Sequence, residues 1–361
     1  MLDLIRIVAV AGVMAVCAAQ CVAGEAAFSD PPADSTAVLQ ALLDAGNAIV
    51  LPAGKITNVS GLRIPPGGAS IRGENATAVL HVTGNAAAIL ANGARVIVSD
   101  LTITGTAPNY TGYGTGPTDL GQHGIQLINS PGSQVRNVKL SNLSGSGIDY
   151  QAPSASFTAA NASIFSDIFV SHVFRGVHVY NFGEYANFSN MQAKNNVVGM
   201  EVESGNVTFS SVSALYNSIG IKINGQANQN PCHGRFNGGS SNHNTYNLVV
   251  MSCGFGQVFN GMDFIGDQSG GLTRGAQHIL IYNSRGISIA NGQIGSNVVV
   301  SAKDPITGDS SLSGSNLLSN NFVRDDLTNF SPPSIGAGAS LLKNGNYGAA
   351  GPVSWNTAPG G

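Results

Sequence analysis

The chain has 361 residues, of which 10% are charged and 7% aromatic, with 47 glycines and a formal net charge of −3. So mild a charge, with no basic run, excludes the electrostatic footprint expected of a nucleic-acid binder. The glycine-rich profile favours many short strands and tight turns over a helix bundle, in one large domain or two ordinary ones.

Residues 1–24 read as an export signal. Arg6 precedes an apolar run from Ile7 to about Ala19, and Val22-Ala23-Gly24 offers a small-residue cleavage site. The run is short for a transmembrane span. A secreted or periplasmic location is therefore expected, with no membrane association after cleavage; Cys21 leaves a lipoprotein reading open, which Gln20 fits poorly. Cys17 and Cys21 would leave with the signal. Cys232 and Cys253 remain, 21 residues apart, and in an oxidising compartment they are candidates for a disulfide. No C-x-x-C or H-E-x-x-H pattern occurs, so no metal site and no cofactor are expected.

The stretch from Asp34 to Gly54 predicts a short amphipathic helix capped by Ser35 or Asp34 and ending near Gly46. A strand ending in Leu51-Pro52-Ala53-Gly54 follows. Such a helix would cover the open first coil of a solenoid.

Further on, one phrase recurs: Gly, apolar, variable, apolar. It stands at Gly124, Gly147, Gly176, Gly199 and Gly220, with Asn247 in the glycine place of a sixth copy, in steps of 23, 29, 23, 21 and 27 residues. A second strand-like run precedes each later copy. A period in this range marks a solenoid, whose coils bury their Val, Ile and Leu side chains only by stacking. The apolar residues alternate with period two, which favours β coils over helical repeats. Asn196, Asn217 and Asn244 all lie three residues before the repeated glycine position, where stacked amides can pair and left-handed backbone is tolerated. These features predict an all-β, single-stranded, right-handed parallel β-helix over residues 25–325, with residues 326–361 as a tail over the last coil.

The capped opening, the repeated coils and the later phrases "CHGRFNGGSSNHNTYNLVV" and "GQVFNGMDFIG" resemble the pectate-lyase-like β-helix superfamily, which includes polygalacturonases and tailspike-type depolymerases. The resemblance covers most of residues 34–325 and implies the fold, a polysaccharide substrate and, from the tailspikes, a homotrimer as one option. It implies no catalytic residues. The paired aspartates, Gly-His-Gly and Arg-x-Lys of polygalacturonases are missing; "QHG" at Gln122 to Gly124 is a fragment. The aspartate and arginine pattern of calcium-dependent pectate lyases is missing too.

In Gly-Φ-x-Φ the apolar residues point inward and x points outward. Read up the column, x gives Gln126, Asp149, His178, Glu201, Lys222 and Val249. The next outward position gives Ile128, Gln151, Tyr180, Glu203 and Asn224. An outward carboxylate beside a lysine is often only a surface ion pair. Charge is scarce in this chain, however, and two insertions, about Gln151 to Phe165 and Gly225 to Phe236, would wall the column. A third irregular stretch, Ala107 to Gln122, offers Tyr110 and Tyr113. Asp149, His178, Glu201 and Lys222 are the catalytic candidates; Tyr180, Glu203, Gln126, Gln151, Asn224 and Arg235 are the substrate-binding ones.

Two chemistries fit. Asp149 and Glu201 lie two coils apart, about 9.6 Å between backbones, which side-chain tilt could bring into the ~6.5–9.5 Å range of inverting glycosidases. Glu201 and Glu203, on one strand, are a second pair in which mutual repulsion would raise one pKa, as suits a general acid. The expectation preferred on the number of carboxylates is an exported glycoside hydrolase. The alternatives are a lyase or C5-epimerase on a uronate polymer, with Lys222 and Arg235 holding the carboxylate and His178 or Tyr180 moving the C5 proton, and a non-catalytic glycan-binding β-helix. Glu184 is placed beside the groove, His172 and His243 in turns, and Asp263 and Asp267 beyond the ladder.

Overall fold

The computed structural model describes residues 25–27, 31–107, 121–152, 162–225, 232–265, 278–295, 297–303, 310–311 and 314–323, with short strands within 334–352. The expected signal segment, Tyr110, Tyr113, Asp267 and the centres of the two insertions expected to wall the column lie outside the described residues. Among the described residues there are 28 strands and a single helix. Strand pairs are parallel from coil to coil, except for Tyr347–Gly348 with Gly351–Pro352. This is the expected all-β parallel β-helix, with the right-handed crossover that parallel connections adopt. No described helix is long and apolar enough to cross a membrane.

The helix spans Thr36–Asp44 and buries Leu39 and Leu43 fully. Ser35 holds the N-cap position without a side-chain capping bond, its Oγ donating to the Pro32 carbonyl at 3.4 Å, and Asp34 Oδ1 accepts from the Thr36 N–H at 2.9 Å instead. Gln40 donates to the Arg63 carbonyl at 2.8 Å, tying the helix across the first coil as a cap.

Apolar alternation builds the core as read. Val177, Val179, Met200, Val202, Ile221 and Ile223 are all buried. On the neighbouring face Phe165, Phe188, Phe209, Phe236 and Phe259 stack one per coil, with centroids 4.3, 4.7, 4.4 and 5.1 Å apart. The offset rings match the coil spacing, so each aromatic buries both faces. The asparagine column is also present. The backbone N–H of Asn196 donates to Asn217 Oδ1 at 2.9 Å, and that of Asn217 to Asn244 Oδ1 at 2.8 Å. The left-handed residues are not these asparagines but the ones just before them: Asn195, Tyr216 and His243, with φ of 56° each. His172 sits in the same conformation, and His243 stacks on Tyr216 at 5.0 Å, so both histidines shape turns.

The repeated glycine is required by crowding rather than by a left-handed φ. A Cβ on Gly176 would lie 2.3 Å from the Gly199 carbonyl oxygen, and one on Gly199 would lie 2.5 Å from that of Gly220. Cys232 and Cys253 form a disulfide with Cα atoms 5.4 Å apart, joining consecutive coils. At the far end the expected boundary moves. Ser340–Asn344 pairs in parallel with Ser315–Ser319, and Tyr347–Gly348 with Phe322–Val323. Stacking thus continues past residue 326, where polar sequence hides the register.

Gly199→Val should lower the unfolding free energy by at least ~1–3 kcal/mol, the usual cost of overpacking. Thermal unfolding measures this; an unchanged midpoint would show that the close approach of coils is wrong.

Candidate active site

The backbone register places the column as the phrase predicts. Gln126 pairs with Asp149, Asp149 with His178, His178 with Glu201, Glu201 with Lys222, and Lys222 with Val249. What differs is exposure. Asp149 and Glu201, read as solvent-facing, are only 1% and 2% exposed. Charges so buried must be paired, and they are.

Asp149 lies between two donors. Gln126 Nε2 donates to its Oδ2 at 2.8 Å, and His178 Nδ1 lies 3.1 Å from its Oδ1. Burial works to raise the Asp149 carboxyl, but the His178 hydrogen bond, the neighbouring His123 and His178 rings and the Gln126 hydrogen bond outweigh it and hold the pKa below its usual range. An ionised carboxylate only accepts, so His178 Nδ1 carries the proton. Its Nε2 is buried without a hydrogen-bond partner and faces Glu203 Oε2 at 3.9 Å. Burial opposes charge on His178, yet Asp149 and Glu203 prevail and raise its pKa. The Tyr180 ring stacks on His178, with centroids 4.3 Å apart.

One coil further, Lys222 Nζ donates to Glu201 Oε1 and Arg175 Nε to Glu201 Oε2, both at 2.5 Å. Burial pushes Glu201 up, but Lys222, then Arg175 and His178, pull its pKa down to about 2. The expected repulsion between Glu201 and Glu203 therefore does not make Glu201 a protonated acid, because two cations outweigh one carboxylate. Glu203 accepts from Asn224 Nδ2 at 3.2 Å, and Gln151 accepts from Asn181 Nδ2 at 3.1 Å. Gln126, Gln151, Tyr180, Glu203 and Asn224 thus all belong to the ladder.

Arg235 does not. It opens the Arg235–Asn242 strand, in register with Thr208 and Val258, round the corner from Lys222. Two ladder residues escape the repeat phrase. Arg175 occupies the position before the glycine, in a column of Ser146, Arg175, Val198, Ile219 and Tyr246; being the sole charge there was the available signal. His123 is buried beside the ladder, its Nδ1 accepting from the Ser146 N–H at 3.0 Å. Asp263 accepts from the Gln293 N–H at 3.0 Å and takes no part in the ladder. His178, Glu201 and Glu203 bring ligand atoms within 4.8 Å of one another. A cation there would have to compete with Arg175 and Lys222, which already hold both Glu201 oxygens.

No protein-family model matches the chain, and no curated protein matches it. Solved structures do. The A-module of the Azotobacter vinelandii mannuronan C-5 epimerase AlgE4 aligns over 92% of this chain and 96% of its own, at 16% identity and a TM-score of 0.61. The pre-mature gene product 12 of bacteriophage phi29 aligns over 89% of this chain and 51% of its own, at 15% identity and a TM-score of 0.59. The catalytic unit of a thermostable α-1,3-glucanase from Streptomyces thermodiastaticus aligns over 93% and 71%, at 13% identity and a TM-score of 0.56. At such identities these likenesses establish the fold alone, a parallel β-helix.

The low Glu201 pKa ties stability to pH. A carboxyl lowered from 4.5 to about 2 adds stability above 4.5 that is lost as pH falls from there through about 2. Acid unfolding should therefore show a limb in this window worth on the order of 3 kcal/mol. Glu201→Gln should destabilise the protein at neutral pH by ~3–5 kcal/mol, leaving its cations unpaired, and flatten that limb. An unchanged acid limb in the variant would contradict the buried pairing.

Proposed function

We propose that the protein is an exported enzyme that acts on an acidic polysaccharide at the Asp149–His178–Glu201–Lys222 ladder, by moving the proton at C5 of a uronate unit. The observation that carries this reading is where the ladder keeps its proton: on His178, between two carboxylates, rather than on a carboxyl group. Hydrolysis by a carboxylate pair needs one carboxyl protonated to assist the leaving group. Asp149 and Glu201, the pair favoured on spacing, are both held ionised. One fold relative is named for C-5 epimerisation of mannuronan, another for α-1,3-glucan, which supports a polysaccharide substrate without choosing the chemistry.

In this mechanism Asp149 fixes the His178 tautomer and stabilises the imidazolium that forms, as the acid of a catalytic triad does. Neutral His178 presents the Nε2 lone pair as base, once Glu203 swings aside to admit the sugar. Lys222 and Arg175, drawn to one spot by Glu201, stabilise the substrate carboxylate, whose negative charge grows as the C5–H bond breaks. The electron pair then follows one of two courses. It expels the oxygen at C4, which takes a proton from Tyr180, and leaves an unsaturated sugar; or C5 takes a proton from water on its other face, the hydroxide being neutralised by the proton on His178, and the sugar is epimerised. Glu201 acts here as a positioning residue.

Glu203 favours a second reading. It is not clamped by Lys222 or Arg175, and it stands close enough to His178 to serve as the acid of a hydrolase with Asp149 as base.

Incubation with uronate polymers separates the two. Elimination yields ultraviolet-absorbing unsaturated ends, epimerisation changes sugar configuration without shortening the chain, and new reducing ends without unsaturation would favour hydrolysis. Binding without any product would support a non-catalytic module. Because a base works when deprotonated and His178 is raised above 6.5, the acid limb of kcat/KM should fall above pH 6.5. Asp149→Asn should move that limb to lower pH and reduce kcat/KM by at least ~10²-fold, within the range of general-base effects. A limb that stays in place in this variant would remove His178 from the role.

A further inference from the structure

The strands that carry the ladder turn a corner at their C-terminal ends, and the corner forms a groove of about 350 Å³. Tyr185 and Asn187 follow the rung of His178, Asn206 and Thr208 follow that of Glu201, and His233 and Arg235 follow that of Lys222. Ile164, Asn187, Thr208, Arg235 and Val258 are in register along the solenoid axis. At one coil per ~4.8 Å, this file runs for roughly 19 Å.

Its chemistry is amphipathic in the way a sugar chain is. Among the described residues Ile56, Ile164 and Phe255 are the large hydrophobics left exposed. Two of them lie next to this groove: Ile164 at one end of the file, and Phe255 edge-on to the lining residue His233 with centroids 6.3 Å apart. Between them Arg235 is exposed, with no side-chain partner among the described residues. Glu184 anchors the wall, accepting from Asn206 Nδ2 at 3.0 Å and standing 3.9 Å from His233 Nε2. Gly205 lets the His233 ring lie against the turn, since a Cβ there would fall 2.0 Å from its Cε1. The disulfide joins Cys232, next to His233, to Cys253, two residues before Phe255, so it ties the turn that carries Phe255 to the lining residue His233.

We propose that this corner groove is a substrate-binding subsite beyond the ladder for an acidic sugar unit of the same polymer. Arg235 takes the sugar carboxylate, and Phe255 and Ile164 pack against apolar ring faces. This inference rests on the reading of the ladder as a uronate-polymer site. A guanidinium matches a carboxylate with two parallel N–H donors, which a lysine cannot reproduce, and an aromatic face suits the C–H side of a sugar ring.

The test titrates uronate oligomers of increasing length, and a neutral glucan, into wild type, Arg235→Ala, Arg235→Lys, Phe255→Ala and Gly205→Ala, with product formation followed in parallel. Arg235 and Phe255 are exposed, so their variants should fold, which circular dichroism checks. Arg235→Ala should weaken binding of long uronate oligomers by roughly tenfold or more, the scale of a charge-assisted hydrogen bond, and raise KM more than it lowers kcat. Arg235→Lys should recover only part of this. Gly205→Ala, which displaces His233 without removing a polar group, should weaken binding too. Unchanged affinity in both Arg235→Ala and Phe255→Ala, equal affinity of wild type for the glucan, or no uronate binding at all would overturn the subsite. If wild type forms product and these variants bind and act normally, the groove fails while the ladder stands. If wild type forms no product yet Arg235→Ala loses binding, the groove stands and the ladder reading fails.

Discussion

Everything in this molecule depends on how closely one coil can lie on the next. At the repeated glycine the carbonyl of the following coil occupies the space a Cβ would need. That contact recurs at Gly124, Gly147, Gly176, Gly199 and Gly220, so the coils lock into a single register along the ladder face. A slip by one residue would turn every inward side chain outward. The phenylalanine stack and the buried asparagine column enforce the same register from other sides of the coil. Function follows from this rigidity, because residues 21 to 29 positions apart in sequence become rungs a few ångströms apart.

Rigid stacking also makes the ladder's electrostatics possible. Asp149 and Glu201 are almost wholly removed from water, and each would be costly alone. They persist because the same register brings Gln126 and His178 to one and Lys222 and Arg175 to the other. Carboxylates alternate with nitrogen donors up the column from Asp149 to Lys222, and each buried carboxylate is satisfied by the donors beside it. The result is a preorganised row of charges, in which the proposed substrate carboxylate would meet cations already in place. The imidazole is held in one tautomer for the same reason. Glu201 thereby changes role: its pairing fits it to fix two cations rather than to donate a proton.

Much of this was legible in the sequence, and the reason is geometric. Period-two alternation decides which side a residue faces, and the glycine phrase decides which residues stack, so the column from Gln126 to Lys222 could be read directly. Burial could not be read that way. Whether an outward residue meets solvent depends on neighbouring side chains and coils, and Asp149 and Glu201 read as exposed when they are enclosed. Arg175 escaped notice because it precedes the glycine, outside the alternating phrase. Arg235 was expected to reach the ladder's substrate, but the insertion before it obscures where the coil turns, and its strand lies round the corner from Lys222. The last coils were hidden by polar strands such as Ser340–Asn344, whose partners lie in the preceding coil.

The central claim is that His178, polarised by Asp149, moves the C5 proton of a uronate unit. The fate of that proton is the most direct measurement. Uronate polymer incubated with the enzyme in deuterium oxide, and followed by proton magnetic resonance, should lose its C5 proton signal at the sites of reaction. It would be replaced by deuterium on epimerisation, or absent from the unsaturated residue on elimination, and His178→Ala should abolish the loss. Cleavage with every C5 proton retained would contradict the account.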